Sequence, residues 1–197
     1  MEPREFWGWF KEQSEALKAE APETRAGTIS DKLVELGTSI AVEVSGDVEG
    51  EPSEVIFTAG GNVELFDEVY ALVEVAPALD GWAFIPLRPA RGFEFTLDLE
   101  GDATLSADKL SFEPLESPQM PGALGLRIFV DDVLSAREDL EEVLLFLIET
   151  GLGEERMAQI VHVEAVPLAE AQEPVPLPVL PAFMDTRLKR LAEESSG

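Results

Sequence analysis

The clearest pattern of hydrophobic and polar positions lies between residues 54 and 89. Two apolar segments of strand composition, VIFTA and WAFIPL, flank a stretch in which apolar residues recur at helical spacing. Asn62 is placed to cap the predicted helix, and Pro77 is placed to end it. The apolar stripe of this helix consists of Leu65, Phe66, Val69, Leu72, Val73 and Ala76. The segment therefore predicts a strand, a turn, a helix packed on a sheet, and a second strand.

A second helix of this kind is predicted after residue 134. Ser135 and Glu138 have the spacing of a capping box, and Gly151 is a plausible stop. The predicted buried stripe consists of Leu140, Val143, Leu144 and Leu147. Leu145, Phe146 and Ile148 widen this stripe, which predicts that the second half of the helix is covered on more than one side.

The strands around the two helices follow the same order. Alternation predicts strands at residues 39–44, 54–59, 93–100, 109–114, 124–130 and 160–166. A turn at Gly101-Asp102 and a loop over residues 117–122 separate those of the second half. Each half thus predicts strand, strand, helix and strand, over residues 39–88 and 109–166, with a parallel strand pair possible across each helix.

The two ends of the chain have their own patterns. Residues 3–20 predict an aromatic-faced helix, and residues 28–36 predict a shorter helix that Thr28 or Ser30 caps. Residues 167–181 are rich in proline, which predicts an extended arm packed on the domain or, alternatively, a ligand for proline-recognition domains. Residues 185–194 predict a final helix whose basic cluster can dock on the acidic body.

These elements predict an α+β fold, with helices packed on mainly antiparallel sheets. The predicted segments are the N-terminal helices (1–38), the first half (39–90), the second half (91–166), and the arm with the last helix (167–197). We expect them to form one compact unit.

The net charge is the most unusual property of the chain. Its 197 residues include 40 acidic and 14 basic side chains, for a net charge of −26. Such a surface repels nucleic acid and anionic lipid, and it attracts basic proteins. Solubility alone is the simpler explanation. The chain has no cysteine, no apolar run of the length that spans a membrane and no signal-peptide pattern, so we expect a cytoplasmic protein without a cofactor.

Candidate catalytic groups are few. His162, the single histidine, lies on a predicted strand without a nucleophile motif, which favours a structural role. Asp131 and Asp132 are weak candidates for metal binding, but helix N-termini also favour acidic residues. The turn at residues 58–62 lacks the spacing of a phosphate-binding loop and predicts positive φ angles at its glycines.

Three sequence motifs resemble those of an uncharacterised family of small acidic bacterial proteins. They are FWGWF at residues 6–10, VIFTAGGN at 55–62 and LVEVAPALDGWAFIPLRPA at 72–90. That family has an N-terminal FWxWF helix and a TAxGN…LVxxAPxLxxWxFxxLxP core. Arg88 stands where the family tends to have lysine, and Gly60 also departs from its pattern. The resemblance covers about the first half of the chain and implies a bacterial, cytoplasmic protein, but no activity.

Charge and missing motifs together favour a non-enzymatic protein that binds a basic partner, as immunity proteins bind nuclease toxins. Its predicted contact residues are Trp7, Trp9, Trp82, Glu64, Asp67 and Glu68. The alternatives are a carboxylate- or metal-dependent hydrolase and a housekeeping or scaffold domain without a ligand.

Overall fold

The computed structural model describes residues 2–46, 48–99, 103–117 and 119–195, and within them the chain is α+β as predicted. The chain divides into two compact units, residues 1–89 and 90–197. Each unit has its own hydrophobic core and its own sheets.

The first unit packs three helices around a three-stranded sheet. Its elements are α1 (Pro3–Lys18), α2 (Pro22–Glu35), β1 (Ala41–Val44), β2 (Ser53–Thr58), α3 (Phe66–Glu74) and β3 (Trp82–Pro86). The strand order is β1-β2-β3, in which β1 and β2 are antiparallel whereas β2 and β3 are parallel. The predicted parallel pair across the helix is therefore confirmed.

Local sequence explains the two ends of α3. The side chain of Asn62 accepts a hydrogen bond of 3.1 Å from the backbone N–H of Glu64, at the start of a 3-10 turn over Val63–Leu65 that leads into the helix. The helix ends at Glu74, shortly before Pro77. Val69 and Leu72 are fully buried, so the predicted apolar stripe faces the core.

The predicted start of α2 is wrong. The helix begins at Pro22, so Thr28 and Ser30 lie inside it and cannot cap its N-terminus. Proline suits the first turn of a helix, where its missing N–H costs no hydrogen bond. The earlier start brings Arg25 into the helix, where its side chain is fully buried.

The second unit contains a two-stranded and a four-stranded sheet. Its strands are β4 (Thr96–Leu99), β5 (Ala103–Ser106), β6 (Ser111–Ser117), β7 (Met120–Val130), β8 (Ile160–Pro167) and β9 (Val175–Pro176). Its helices are α4 (Asp132–Ser135), α5 (Leu140–Leu152), α6 (Glu154–Met157) and α7 (Leu180–Ser195). The larger sheet has the order β8-β7-β6-β9, with β6 antiparallel and β8 parallel to β7. The motif β6-β7-α5-β8 therefore repeats the topology of β1-β2-α3-β3, as the element order predicts.

Two strand predictions in the second unit need correction. β4 begins at Thr96, because Phe93 and Phe95 pack against the core from a segment without strand pairing. The predicted loop at residues 117–122 is instead a hairpin in which Ser117 pairs with Met120. The predicted turn at Gly101-Asp102 lies outside the described residues.

The predicted capping box of α5 is also wrong. Asp131 caps a separate one-turn helix, α4, by accepting a hydrogen bond of 2.8 Å from the backbone N–H of Leu134. The hydroxyl of Ser135 donates back to the carbonyl of Asp132, and α5 begins only at Leu140. Ser135 therefore lies inside α4 and does not cap α5.

Gly151 does not end α5, which continues to Leu152 and is followed by Gly153 with φ of +78°. The absence of a side chain at Gly151 instead makes room for an aromatic ring. A Cβ atom at this position would lie 2.2 Å from Cε1 of Phe93. Close approach of the ring therefore explains this glycine.

The proline-rich segment is packed on the second unit, as predicted. β9 pairs with β6, and Leu177 and Leu180 are fully buried. α7 begins at Leu180 and not at the predicted residue 185, because Pro181 fits its first turn. The buried guanidinium of Arg187 donates hydrogen bonds of 2.8 Å to Glu116 Oε1 and to the carbonyl of Ala123.

Two helical glycines have opposite expected responses to alanine. A methyl group added at Gly27 in α2 would meet only open space, so Gly27→Ala should raise the free energy of unfolding by about 0.5–1 kcal/mol. Gly151→Ala forces the ring of Phe93 to move and should lower the free energy of unfolding by about 1–3 kcal/mol. Urea denaturation of both variants measures the difference; equal stabilisation by both substitutions would contradict the close approach.

The ion pair of α7 predicts a pH-dependent contribution to stability. The hydrogen bond from Arg187 holds the pKa of Glu116 below its usual value, with Arg190 adding to the effect. The pair therefore stabilises the fold above the unfolded-state pKa of about 4.3, and this contribution is lost as the pH falls through the lower folded-state pKa. Glu116→Gln should cost about 0.5–1 kcal/mol at neutral pH, because the carboxylate is partly exposed, and almost nothing near pH 2.

Glu173→Gln removes the same charge from an exposed position and serves as the control. Chemical denaturation at the two pH values measures both variants. If Glu116→Gln has the same effect as Glu173→Gln at neutral pH, the pair does not stabilise the fold.

Candidate functional site

The outer side of α5 carries exposed apolar side chains among carboxylates. Phe146 is 56% exposed and Leu145 is 36% exposed, and Glu142 and Glu141 precede them by one helical turn. We call these four residues the α5 surface. The opposite side of the helix packs into the core through Leu140, Leu144, Leu147 and Ile148. The predicted wider stripe is therefore correct for Ile148 and wrong for the two exposed residues.

The chain around the α5 surface is strongly acidic. Between residues 131 and 155 there are nine acidic residues and a single basic one, Arg137. The guanidinium of Arg137 donates to Asp139 at 2.7 Å, and this hydrogen bond lowers the pKa of Asp139. The other acidic residues of this segment are Asp131, Asp132, Glu138, Glu141, Glu142, Glu149, Glu154 and Glu155. The local potential is consequently negative, and the sole arginine is already engaged within the segment.

The acidic residues predicted as contacts in the first unit lie at the start of α3. Glu64 and Asp67 are exposed, and Glu68 is half-buried. Tyr70, 39% exposed, follows on the same helix. These positions also suit the positive end of the helix dipole, which favours acidic side chains regardless of any partner.

Two of the predicted aromatic anchors are part of the first core. Trp7 and Trp82 are buried, and the indole N–H of Trp7 donates to the carbonyl of Leu72 at 2.7 Å. Trp9 is half-buried. The aromatic face of α1 is covered because Phe6 and Phe10 on the same helix also pack into this core. Trp7 and Trp82 therefore offer no exposed ring to a protein partner, and the aromatic side of α1 is docked on the core.

His162 lies on the open face of the four-stranded sheet, where its side chain is 58% exposed. Its Nε2 is 3.7 Å from Glu164, which accepts a hydrogen bond of 2.6 Å from Arg127. Arg127 also lies 3.5 Å from Glu113 on the next strand. The hydrogen bond from Arg127 holds the pKa of Glu164 below its usual value. A carboxylate bound in this way is a weak base, so this group of residues is typical of cross-strand ion pairing.

The remaining candidate residues have local structural roles. Asp131 caps α4, and Asp132 lies in its first turn. Within the part of the chain that the structure describes, no three histidine, aspartate or glutamate side chains converge as a metal site would require. Gly60 and Gly61 have φ angles of +62° and +79°, as predicted for a tight turn.

Each unit has a groove on its surface. In the first unit, a groove of about 470 Å³ lies between the end of α3 and β3, and Trp82 forms part of its wall. In the second unit, a groove of about 690 Å³ lies beside Phe93, Phe95 and the proline-rich segment. Neither groove is lined by His162 or by the Asp131-Asp132 pair.

Sequence spacing did not reveal the α5 surface, because Leu145 and Phe146 look like additional core residues. The one signal in the sequence is the pair Glu141 and Glu142. These glutamates lie one helical turn before Leu145 and Phe146, on the same side of the helix, which indicates that this side is away from the most buried stripe. Among the described helices, none has the length and apolar character needed to cross a membrane. No protein-family model matches this sequence, and neither the curated proteins nor the solved structures include a significant match to it.

Proposed function

We propose that this protein is a non-enzymatic acidic binding protein whose α5 surface engages a basic protein partner. The observation that carries the proposal is the exposure of Phe146 and Leu145 beside Glu141 and Glu142. A large aromatic ring exposed on a helix is typical of a contact site, and a surrounding of one charge sign selects a partner of the other sign.

The apolar and charged residues would contribute differently to such a complex. Burial of a phenylalanine side chain is worth about 1.5–3 kcal/mol, so Phe146 would supply affinity. The carboxylates would raise the association rate at low salt and disfavour acidic partners. The acidic start of α3, with Glu64 and Asp67, would add to the long-range attraction.

An immunity protein that neutralises a basic nuclease toxin has these properties, and it needs no catalytic group of its own. The net charge of −26 supports this class of partner over nucleic acid and anionic lipid, both of which it repels. Ion pairs within the chain support it too, because Arg127 and Arg187 are engaged by Glu164 and Glu116 and do not neutralise the remaining acidic side chains.

The proposal predicts that a basic protein binds with an affinity that depends on Phe146. The immobilised chain should retain such a protein from a lysate of the native host at about 50 mM salt and release it at about 500 mM, since screening weakens the attraction. With the purified partner, Phe146→Ser should raise the Kd about 10- to 100-fold in calorimetry. A double substitution, Glu141→Gln with Glu142→Gln, should mainly slow association.

Matched variants in the first unit separate a specific surface from general charge. Val34→Ser alters an exposed apolar residue of α2, and Glu12→Gln with Glu15→Gln removes the same charge from α1. Both should bind the partner as the wild type does. If Phe146→Ser and Val34→Ser bind equally well, the α5 surface is not the contact, and if no basic protein is retained at low salt, the proposed function is wrong.

A further inference from the structure

The side chain of Trp82 has a buried N–H group without a hydrogen-bond acceptor. The residue is 7% exposed, and within the described residues its Nε1 atom has no partner. Trp7 in the same core has its N–H satisfied by the carbonyl of Leu72. An unsatisfied buried donor destabilises a fold, and native structures retain few of them. The N–H group of Trp82 is thus a buried donor to which the described residues of the protein offer no acceptor.

A groove lies beside this side chain. It is formed by the end of α3, the segment from Pro77 to Asp80, and the rings of Trp82 and Phe84. Its volume of about 470 Å³ falls in the range of small-molecule sites, and Leu79 and Phe84 give it an apolar wall. The groove can thus hold the apolar body of a small molecule against the side chain of Trp82.

Two cations lie over the indole ring of Trp82. The guanidinium carbon of Arg25 is 5.5 Å from the ring centroid, and Lys18 Nζ is 5.9 Å from it. Both are held in place: Arg25 donates to the Ser53 hydroxyl at 2.7 Å, and Lys18 donates to the backbone carbonyl of Asp80 at 2.7 Å. Positive charge over the ring that carries the N–H donor favours an electronegative acceptor atom and disfavours a ligand that has only donors.

The overall charge limits what that acceptor can be. A net charge of −26 repels anions, and the acidic residue Asp80 is among those that line the groove. The ligand must therefore offer an acceptor atom but carry no negative charge. A neutral carbonyl oxygen meets both requirements, because it accepts a hydrogen bond without adding negative charge.

We propose that this groove binds a small neutral molecule with an apolar body and a carbonyl oxygen, which accepts the hydrogen bond of Trp82 Nε1. The Nε1 atom is closed to solvent in the free protein. The ligand therefore displaces the atoms that cover it, and the new hydrogen bond offsets the cost of that movement. This site lies in the first unit and does not depend on the proposed function of the α5 surface.

Three probes with the same alkyl chain and different head groups test the proposal: hexanamide, hexanoate and hexylamine. The readout is the indole N–H signal of Trp82 in a proton–nitrogen correlation spectrum, assigned by triple-resonance experiments on the wild-type protein. Hexanamide should shift this signal saturably and leave those of Trp7 and Trp9 in place. Hexanoate should bind at least tenfold more weakly, and hexylamine should cause no shift.

Variants show whether the N–H group itself is responsible. Trp82→Phe keeps an aromatic wall but removes the donor, and it should weaken hexanamide binding at least tenfold in calorimetry. Trp9→Phe is the matched control and should bind like the wild type. Phe146→Ser should also bind hexanamide normally, which separates this site from the α5 surface.

Three results would overturn the proposal. One is the absence of a saturable shift of the Trp82 signal with hexanamide. Another is a shift of equal size and affinity with hexylamine, because an amine cation cannot accept the hydrogen bond. The third is unchanged hexanamide binding in folded Trp82→Phe. The wild-type spectrum decides the matter even if the variant does not fold.

Discussion

Each unit of this protein depends on a helix that must cross between two parallel strands and bury one side on their sheet. β2 and β3 are parallel, as are β7 and β8, and parallel neighbours cannot be joined by a tight turn. The inner sides of the two crossover helices are consequently occupied by packing, through Val69 and Leu72 in α3 and through Leu144 and Leu147 in α5. Their outer sides carry no such requirement and are where exposed acidic and apolar residues occur together.

The distribution of basic residues strengthens the acidity of those outer sides. Arg25 is buried against backbone carbonyls, Arg187 binds Glu116 beneath α7, and Arg127 joins Glu164 across two strands. Fourteen basic side chains cannot neutralise forty acidic ones, and these three are already engaged by groups of the same chain. The acidic excess therefore remains at the surface, where it can act on a partner.

In the core of the first unit, the buried donor groups of Arg25 and Trp7 form hydrogen bonds with acceptors of the same chain, whereas among the described residues that of Trp82 does not. The guanidinium of Arg25 donates to the carbonyl of Leu17 and to Ser53, and the indole of Trp7 donates to Leu72. The Nε1 of Trp82 has no acceptor in the part of the chain that the structure describes. Because Trp82 also lines a groove, the proposed ligand would supply that acceptor, and this role would be independent of the charge that favours a protein partner.

Local sequence was sufficient to predict the α+β class, the repeated element order, the cap at Asn62 and the acidic surface, because period, capping and charge are properties of neighbouring residues. It misplaced the starts of α2 and α7, where Pro22 and Pro181 occupy the first turn of a helix that begins earlier than its apolar spacing indicates. The exposure of Phe146 and the missing acceptor of Trp82 emerge only in the folded chain. Both depend on residues distant in the chain, and the spacing of apolar positions does not show how far the rest of the protein covers a helix or a ring.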